Sequence, residues 1–231
     1  VEGETLPRRL LREEVYAPAR AALPEQLGRL LAQIHAIPVE KHGLTSLPAP
    51  PADESPAAFE VQRYEQIFRA IALEPHPAFE LAFRWLRQHP VIAAPAATAR
   101  TLVHGDFRIG NVLFGPEGLR LMLDWELAHI GDPMEDMGFL CVRSWRFGGP
   151  KPVGGIGERE PFFAAYEAAG GAKVDPERVR FWEVFGNLRW GVICLNQART
   201  YLDGHSKSVE LASIGRRTAE TEWELLELIS S

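Results

Sequence analysis

Apolar residues recur at helical spacing through most of the chain. Leu27, Leu30, Leu31 and Ile34 stand at i, i+3, i+4 and i+7, with Pro24 where a helix can begin and Pro38 beyond its end, which predicts an amphipathic helix over 24–36. The prolines of Leu47-Pro48-Ala49-Pro50-Pro51-Ala52 fix φ and remove donors, so this stretch reads as an extended surface loop, where a domain boundary is allowed but not demanded. Ser55-Pro56 supplies an N-cap and a Pro at N1 for a helix bearing Phe59, Tyr64, Ile67, Phe68 and Ile71 to about Leu73, and a further helix over 77–88 is bounded by Pro77 and Pro90.

The pattern shortens at residue 100. Thr101-Leu102-Val103 is β-prone, and Val112-Leu113-Phe114, the turn Gly115-Pro116-Glu117-Gly118 and residues 119–123 read as a hairpin, giving a small sheet inside a mainly helical chain. Asp132-Pro133-Met134-Glu135 has the order of a capping box, opening a helix with Met137, Leu140, Cys141 and Trp145 on one face, stopped by Gly148-Gly149-Pro150. Gly154 to Gly157 reads as flexible, and a helix near 160–169 ends at Gly170-Gly171. From Asp175-Pro176 a long helix runs to about Leu202, apolar over most of its circumference and so expected to be buried; an acidic amphipathic helix over 206–229 closes the chain.

Composition narrows the function classes. With 231 residues the chain can form one large domain or two small ones, and 46% hydrophobic with 24% charged residues is ordinary for a soluble globular protein. A net charge of −6 argues against a nucleic-acid partner, which needs a basic face. Two cysteines in apolar surroundings exclude a disulfide framework and a CxxC zinc site; no apolar run has the length of a membrane span, and Val1-Glu2-Gly3-Glu4-Thr5 has no secretion-signal character. A cytoplasmic location without a membrane partner is the expectation.

Chemistry concentrates in His104-Gly105-Asp106-Phe107-Arg108-Ile109-Gly110-Asn111 and, further on, Asp124-Trp125-Glu126. A strand delivers an acid and an amide five residues apart, and a hairpin brings a second acid alongside. That set suits phosphoryl transfer, with Asp106 as base or orienting group for a hydroxyl and Asn111 and Asp124 as hard oxygen ligands for Mg²⁺. Asp106 and Asn111 are also turn-forming types, which is the structural alternative.

Here the chain resembles the aminoglycoside phosphotransferase and choline kinase-like superfamily, relatives of the protein kinases. The matching residues are the HxDxxxxN loop (His104, Asp106, Asn111), the acid in Leu123-Asp124-Trp125, and Gly131-Asp132-Pro133 followed by Asp136. The strings HGDFRIGNVLF and LDWELAHIGDP look closest to the branch with kinase domains fused to acyl-CoA dehydrogenases. The resemblance implies an α+β, mainly α fold, a kinase-like C-terminal lobe with a β-hairpin at the catalytic loop. It implies an ATP-dependent small-molecule kinase with Asp106 as catalytic base and Asn111 and Asp124 as the nucleotide and Mg²⁺ ligands. His104, Asp132 and Asp136 are expected to support the loop. Arg108 either offsets charge on the transferred phosphoryl group or forms a salt bridge to Asp136 or Glu126.

Glu126, two residues beyond Asp124, would share its side of a strand and is read as an additional metal-side or substrate residue. Arg143, Arg146 and Lys151 point to an anionic, hydroxyacyl-CoA-like acceptor rather than an aminoglycoside, with Trp145, Trp182 or Trp190 as walls or core. His35 is read as a packing residue. Related kinases carry a lysine and a glycine-rich loop in a β-rich N-terminal lobe. Lys41, Lys151, Lys173 and Lys207 are the only lysines, none on a strand behind such a loop. The expectation is therefore that 1–231 is the C-terminal lobe alone, 1–8 a remnant of the interlobe hinge, and the isolated chain weakly active or inactive. A metallohydrolase using His104, Asp106, Asp124 and His129, and a non-catalytic binding module, are the competing readings.

Overall fold

The computed structural model describes residues 1–93 and 100–230. Contacts divide the chain into two compact units, Val1–Pro51 with Ala97–Glu183, and Ala52–Ala96 with Val184–Ser231. The proline-rich loop is thus where the chain first passes from one unit into the other.

The first unit opens with an extended segment whose Glu4 exchanges both backbone hydrogen bonds with Phe114 at 2.9 Å. Helix α1 (Pro7–Arg12) follows, so positions 7 and 8 of the expected hinge stretch are helical. Helix α2 (Ala17–His35) starts seven residues before the predicted boundary, because Pro18 already occupies the first turn. Pro24 lies inside it, where proline costs roughly 3 kcal/mol. Burial offsets that cost: Pro24 packs on Gly157 so closely that a Cβ there would come within 2.4 Å of the ring.

Among the described residues four strands form two antiparallel pairs rather than one small sheet: β1 (Thr101–Val103) with β4 (His129–Gly131), and β2 (Val112–Gly115) with β3 (Gly118–Met122). The β2–β3 turn needs Gly118, whose φ is 118°. The Gln26 side chain of α2 holds this hairpin, Oε1 accepting from Leu119 N–H at 2.8 Å and Nε2 donating to Glu117 O at 3.2 Å. Helix α6 (Arg159–Ala168) packs on α2 at Gly28, where a Cβ would meet Phe162 O at 2.5 Å.

Helix α5 (Met134–Cys141) is shorter than predicted. It ends because the Arg146 guanidinium takes the Cys141 carbonyl, Nε at 3.1 Å and Nη2 at 2.8 Å, in place of a next-turn amide. Trp145 consequently sits on a separate 3-10 turn, Arg143–Arg146. The capping box does not close either: Asp132 accepts from Met134 N–H at 2.9 Å, but Glu135 turns to His129, 3.1 Å from Nε2. The glycines at 154–157 are buried in a tight turn, and a Cβ on Gly154 would strike Ile109 at 2.2 Å. They serve close approach, to Ile109, the Arg146 carbonyl and Pro24, rather than flexibility.

In the second unit α3 (Pro56–Ile71), capped by Ser55, and α4 (Pro77–Gln88) pack through Phe68, Phe79 and Phe83. Helix α7 (Pro176–Leu202) begins in the first unit and continues through the second, with Val179, Phe181, Trp182, Phe185, Leu188 and Val192 all buried. The predicted final helix is two, α8 (Val209–Gly215) and α9 (Thr218–Ser230), interrupted after Gly215, where a Cβ would lie 2.5 Å from Ala198.

Candidate active site

The site lies within the first unit, on the loop after β1. Gly105 has φ 81°, and a Cβ there would meet Leu127 O at 2.3 Å, so this position admits only glycine. Two clamps fix the loop. Asp136, on α5 and fully buried, accepts from His104 N–H at 2.8 Å and Gly105 N–H at 2.9 Å. Its carboxyl is held below the ordinary value: burial alone would raise it, but His35, His104 and the backbone donor together outweigh that. His104 is the second clamp. Its Nδ1 accepts from Asp106 N–H at 3.1 Å, which assigns the proton to Nε2, and this donates to Leu123 O at 2.9 Å.

The candidate site residues Asp106, Arg108 and Asn111 meet on this loop. The Asn111 amide nitrogen donates to the Asp106 carbonyl at 2.9 Å and to its carboxylate at 2.6 Å. That assignment turns Asn111 Oδ1 away from the carboxylate, as a neutral oxygen ligand for a cation. Leu123 N–H donates to Asn111 O at 2.8 Å, which sets the Asp124 backbone beside the same residue. Asp124 has φ 65° and an exposed carboxylate. An exposed carboxylate and an amide oxygen are both hard donors of the kind that suits Mg²⁺. Arg108 Nε donates to both Asp106 oxygens, at 3.0 and 3.1 Å, and not to Asp136 or Glu126 as the alternative had it.

Other expected site residues are distributed differently. Glu126 is exposed but lies in a turn, since β3 ends at Met122, so strand alternation does not align it with Asp124. Arg143 is exposed on the 3-10 turn that contacts the Ile109–Asn111 segment. Arg146 is withdrawn from the acceptor role: besides the Cys141 carbonyl it takes the buried Glu183 at 3.1 Å, which also accepts from Arg159 at 2.5 Å. Trp190 belongs to the other unit, where Arg217 lies 5.5 Å over its ring. Asp132 is more than a helix start, because Arg178 Nε at 2.6 Å and Trp182 Nε1 at 2.9 Å converge on it.

Both imidazoles of the metallohydrolase reading are occupied. His104 is spent as above, and His129 has Leu127 O 3.0 Å from Nδ1 and Glu135 on Nε2. Sequence reasoning missed His35, which stands 3.3 Å from Asp136 and 2.9 Å from the Tyr166 hydroxyl. Its position at the end of an amphipathic helix gave no sign of that partner.

Comparison with known proteins bears on the fold and the family. Mouse (Mus musculus) acyl-CoA dehydrogenase family member 10 is 34% identical over 125 residues, 53% of this chain and 11% of that protein, so the chain spans about a tenth of that relative. A crystal structure from Ralstonia eutropha, provisionally assigned as an aminoglycoside phosphotransferase, superposes with TM-score 0.79 at 24% identity, covering 100% of this chain and 71% of that one. The GDP complex of wild-type aminoglycoside 2'-phosphotransferase-IIIa gives TM-score 0.56 at 16% identity, covering 100% and 67%. At these identities the structures speak for the fold alone. The model of the phosphotransferase enzyme family matches residues 1–182, and the chain belongs to that family.

Proposed function

We propose that this chain carries the catalytic residues of a kinase that moves the γ-phosphate of ATP to a hydroxyl group of a small molecule. The observation that carries the reading is the Asn111 amide, whose nitrogen ties the Asp106 carboxylate and whose oxygen is thereby left for a cation. Asp106 orients the acceptor hydroxyl and receives its proton as the acceptor oxygen bonds to the γ-phosphorus. The bond from that phosphorus to the β–γ bridging oxygen breaks, and ADP leaves with the electron pair. Asn111 and Asp124 would hold Mg²⁺, which when bound would supply charge neutralisation on the phosphate oxygens. Arg108 adds a cation that is already in place when charge develops on the transferred group.

No lysine behind a glycine-rich loop stands in these 231 residues, so the proposal assigns the covering of the nucleotide to a lobe outside this chain. For the acceptor we favour an anionic, hydroxyacyl-CoA-like alcohol. The name of the mouse relative and the exposed Arg143 beside the catalytic loop support it. The test is phosphoryl transfer from labelled Mg·ATP by the intact protein, with a 3-hydroxyacyl-CoA and an aminoglycoside in competition. Labelled hydroxyacyl-CoA is the expected product; preference for the aminoglycoside overturns the acceptor assignment, and no transfer to either overturns the kinase reading.

A further inference from the structure

Arg108 lies in a slot built from three sides. Its Nε edge holds the Asp106 carboxylate, and its guanidinium carbon stands 4.8 Å from the centre of the Trp145 ring. The third side is bare backbone: a Cβ on Gly110 would come within 2.3 Å of Nη1. Among the described residues Nη1 and Nη2 donate no hydrogen bond, and the side chain is 24% exposed. An arginine fork works only when its plane is fixed, and stacking on an indole fixes it.

Trp145 is itself immobilised. It is 4% exposed, packs 5.5 Å from Phe139, and rides on the turn that Arg146 pins to Cys141 and Glu183. The turn leaves through Phe147 at φ 49°, a conformation that a bulky residue keeps only where its surroundings impose it.

We propose that Trp145 is a positioning residue for phosphoryl transfer. It holds the Arg108 guanidinium flat, so that Nε stays on Asp106 while the Nη edge is left for an anionic oxygen of the transferred phosphoryl group. The proposal rests on the kinase reading above. It explains why a helix that could have continued through Trp145 stops at Cys141: the turn carries the indole to the loop. It also explains why Gly110 has no side chain.

The test is a double-mutant cycle on the intact protein, reading kcat and KM for Mg·ATP hydrolysis with water as the acceptor, by release of inorganic phosphate. Trp145→Leu should lower kcat about tenfold, the size of a desolvated cation–π contact, while KM for ATP moves less than about threefold. Trp145→Phe, which keeps a ring face, should recover most of the loss. In an Arg108→Ala background Trp145→Leu should have no further effect. Gly110→Ala displaces the guanidinium without touching the indole, and serves if Trp145→Leu does not fold. It should lower kcat in the parent and leave the Arg108→Ala variant unchanged.

Equal losses with and without Arg108, from either substitution, overturn the positioning role and assign Trp145 to packing alone. An unchanged kcat in Trp145→Leu overturns it as well. Asp106→Asn in the same assay separates the two levels of the argument. Turnover that survives Asp106→Asn contradicts the kinase reading, whereas turnover that vanishes there with an additive cycle contradicts only the role of Trp145.

Discussion

The loop His104 to Asn111 and the loop Leu123 to Ala128 carry the two carboxylates of the site, and the chain holds them in opposite ways. On the first, Asp106 is bonded through its amide to His104 and through its carboxylate to Arg108 and Asn111, and the loop beneath is clamped by a buried Asp136. On the second, Leu123 is tied to Asn111 through its N–H and to His104 through its carbonyl, but Asp124 beyond it is in a left-handed conformation with its carboxylate exposed. A group that must meet a hydroxyl at one angle gains from being fixed in advance. A cation ligand needs an open, fully ionised oxygen, and the ion itself draws the ligands together. On the proposed kinase reading, the difference separates positioning from charge supply.

Substitutions can break that contrast. Asp124→Asn should leave the melting temperature unchanged within a few degrees but lower turnover on the order of 10²-fold and raise the Mg²⁺ concentration for half-maximal rate. A magnesium titration of the variant checks this, and a large loss of stability would show the second loop to be as structural as the first.

Asp136→Ala should act the other way. It leaves two buried backbone donors without an acceptor, at about 1–3 kcal/mol each, so urea unfolding should show a loss of several kcal/mol. The pH dependence follows from the depressed carboxyl of Asp136. Its contribution is fully present above the unfolded value of about 3.9 and is lost as pH falls through the lower folded value. Melting curves from about pH 5 down to about pH 2 should therefore drop more steeply for the parent than for Asp136→Asn. The smallest effect belongs to Tyr166→Phe, which removes the hydroxyl beside His35 and should cost about 1 kcal/mol with turnover unchanged.

Much of this was legible in the chain. The helix over 77–88 and strand 101–103 follow directly from proline bounds and apolar spacing, and both match residue for residue. The segment from His104 to Asn111 identified the family because acid and amide spacing reflects the chemistry itself. What remained hidden depends on distant partners. Pro24 looked like a helix start because its packing on Gly157 cannot be seen locally. Trp145 looked like part of a helical face because the bond that ends α5 comes from Arg146, and that side chain is anchored on Glu183. The glycines at 154–157 suggested freedom, whereas their missing side chains make room for Ile109 at Gly154, the Arg146 carbonyl at Gly155 and Pro24 at Gly157. Local propensity yields to tertiary contacts at such places, and here several of them border the site.

The central claim is that Asp106 acts on the acceptor of a phosphoryl group. Transfer from γ-labelled Mg·ATP by the intact protein and by its Asp106→Asn variant, each with its melting temperature, tests it most directly. The account predicts a loss on the order of 10²–10⁴-fold in turnover with the fold retained. Wild-type turnover in a folded Asp106→Asn protein would contradict it.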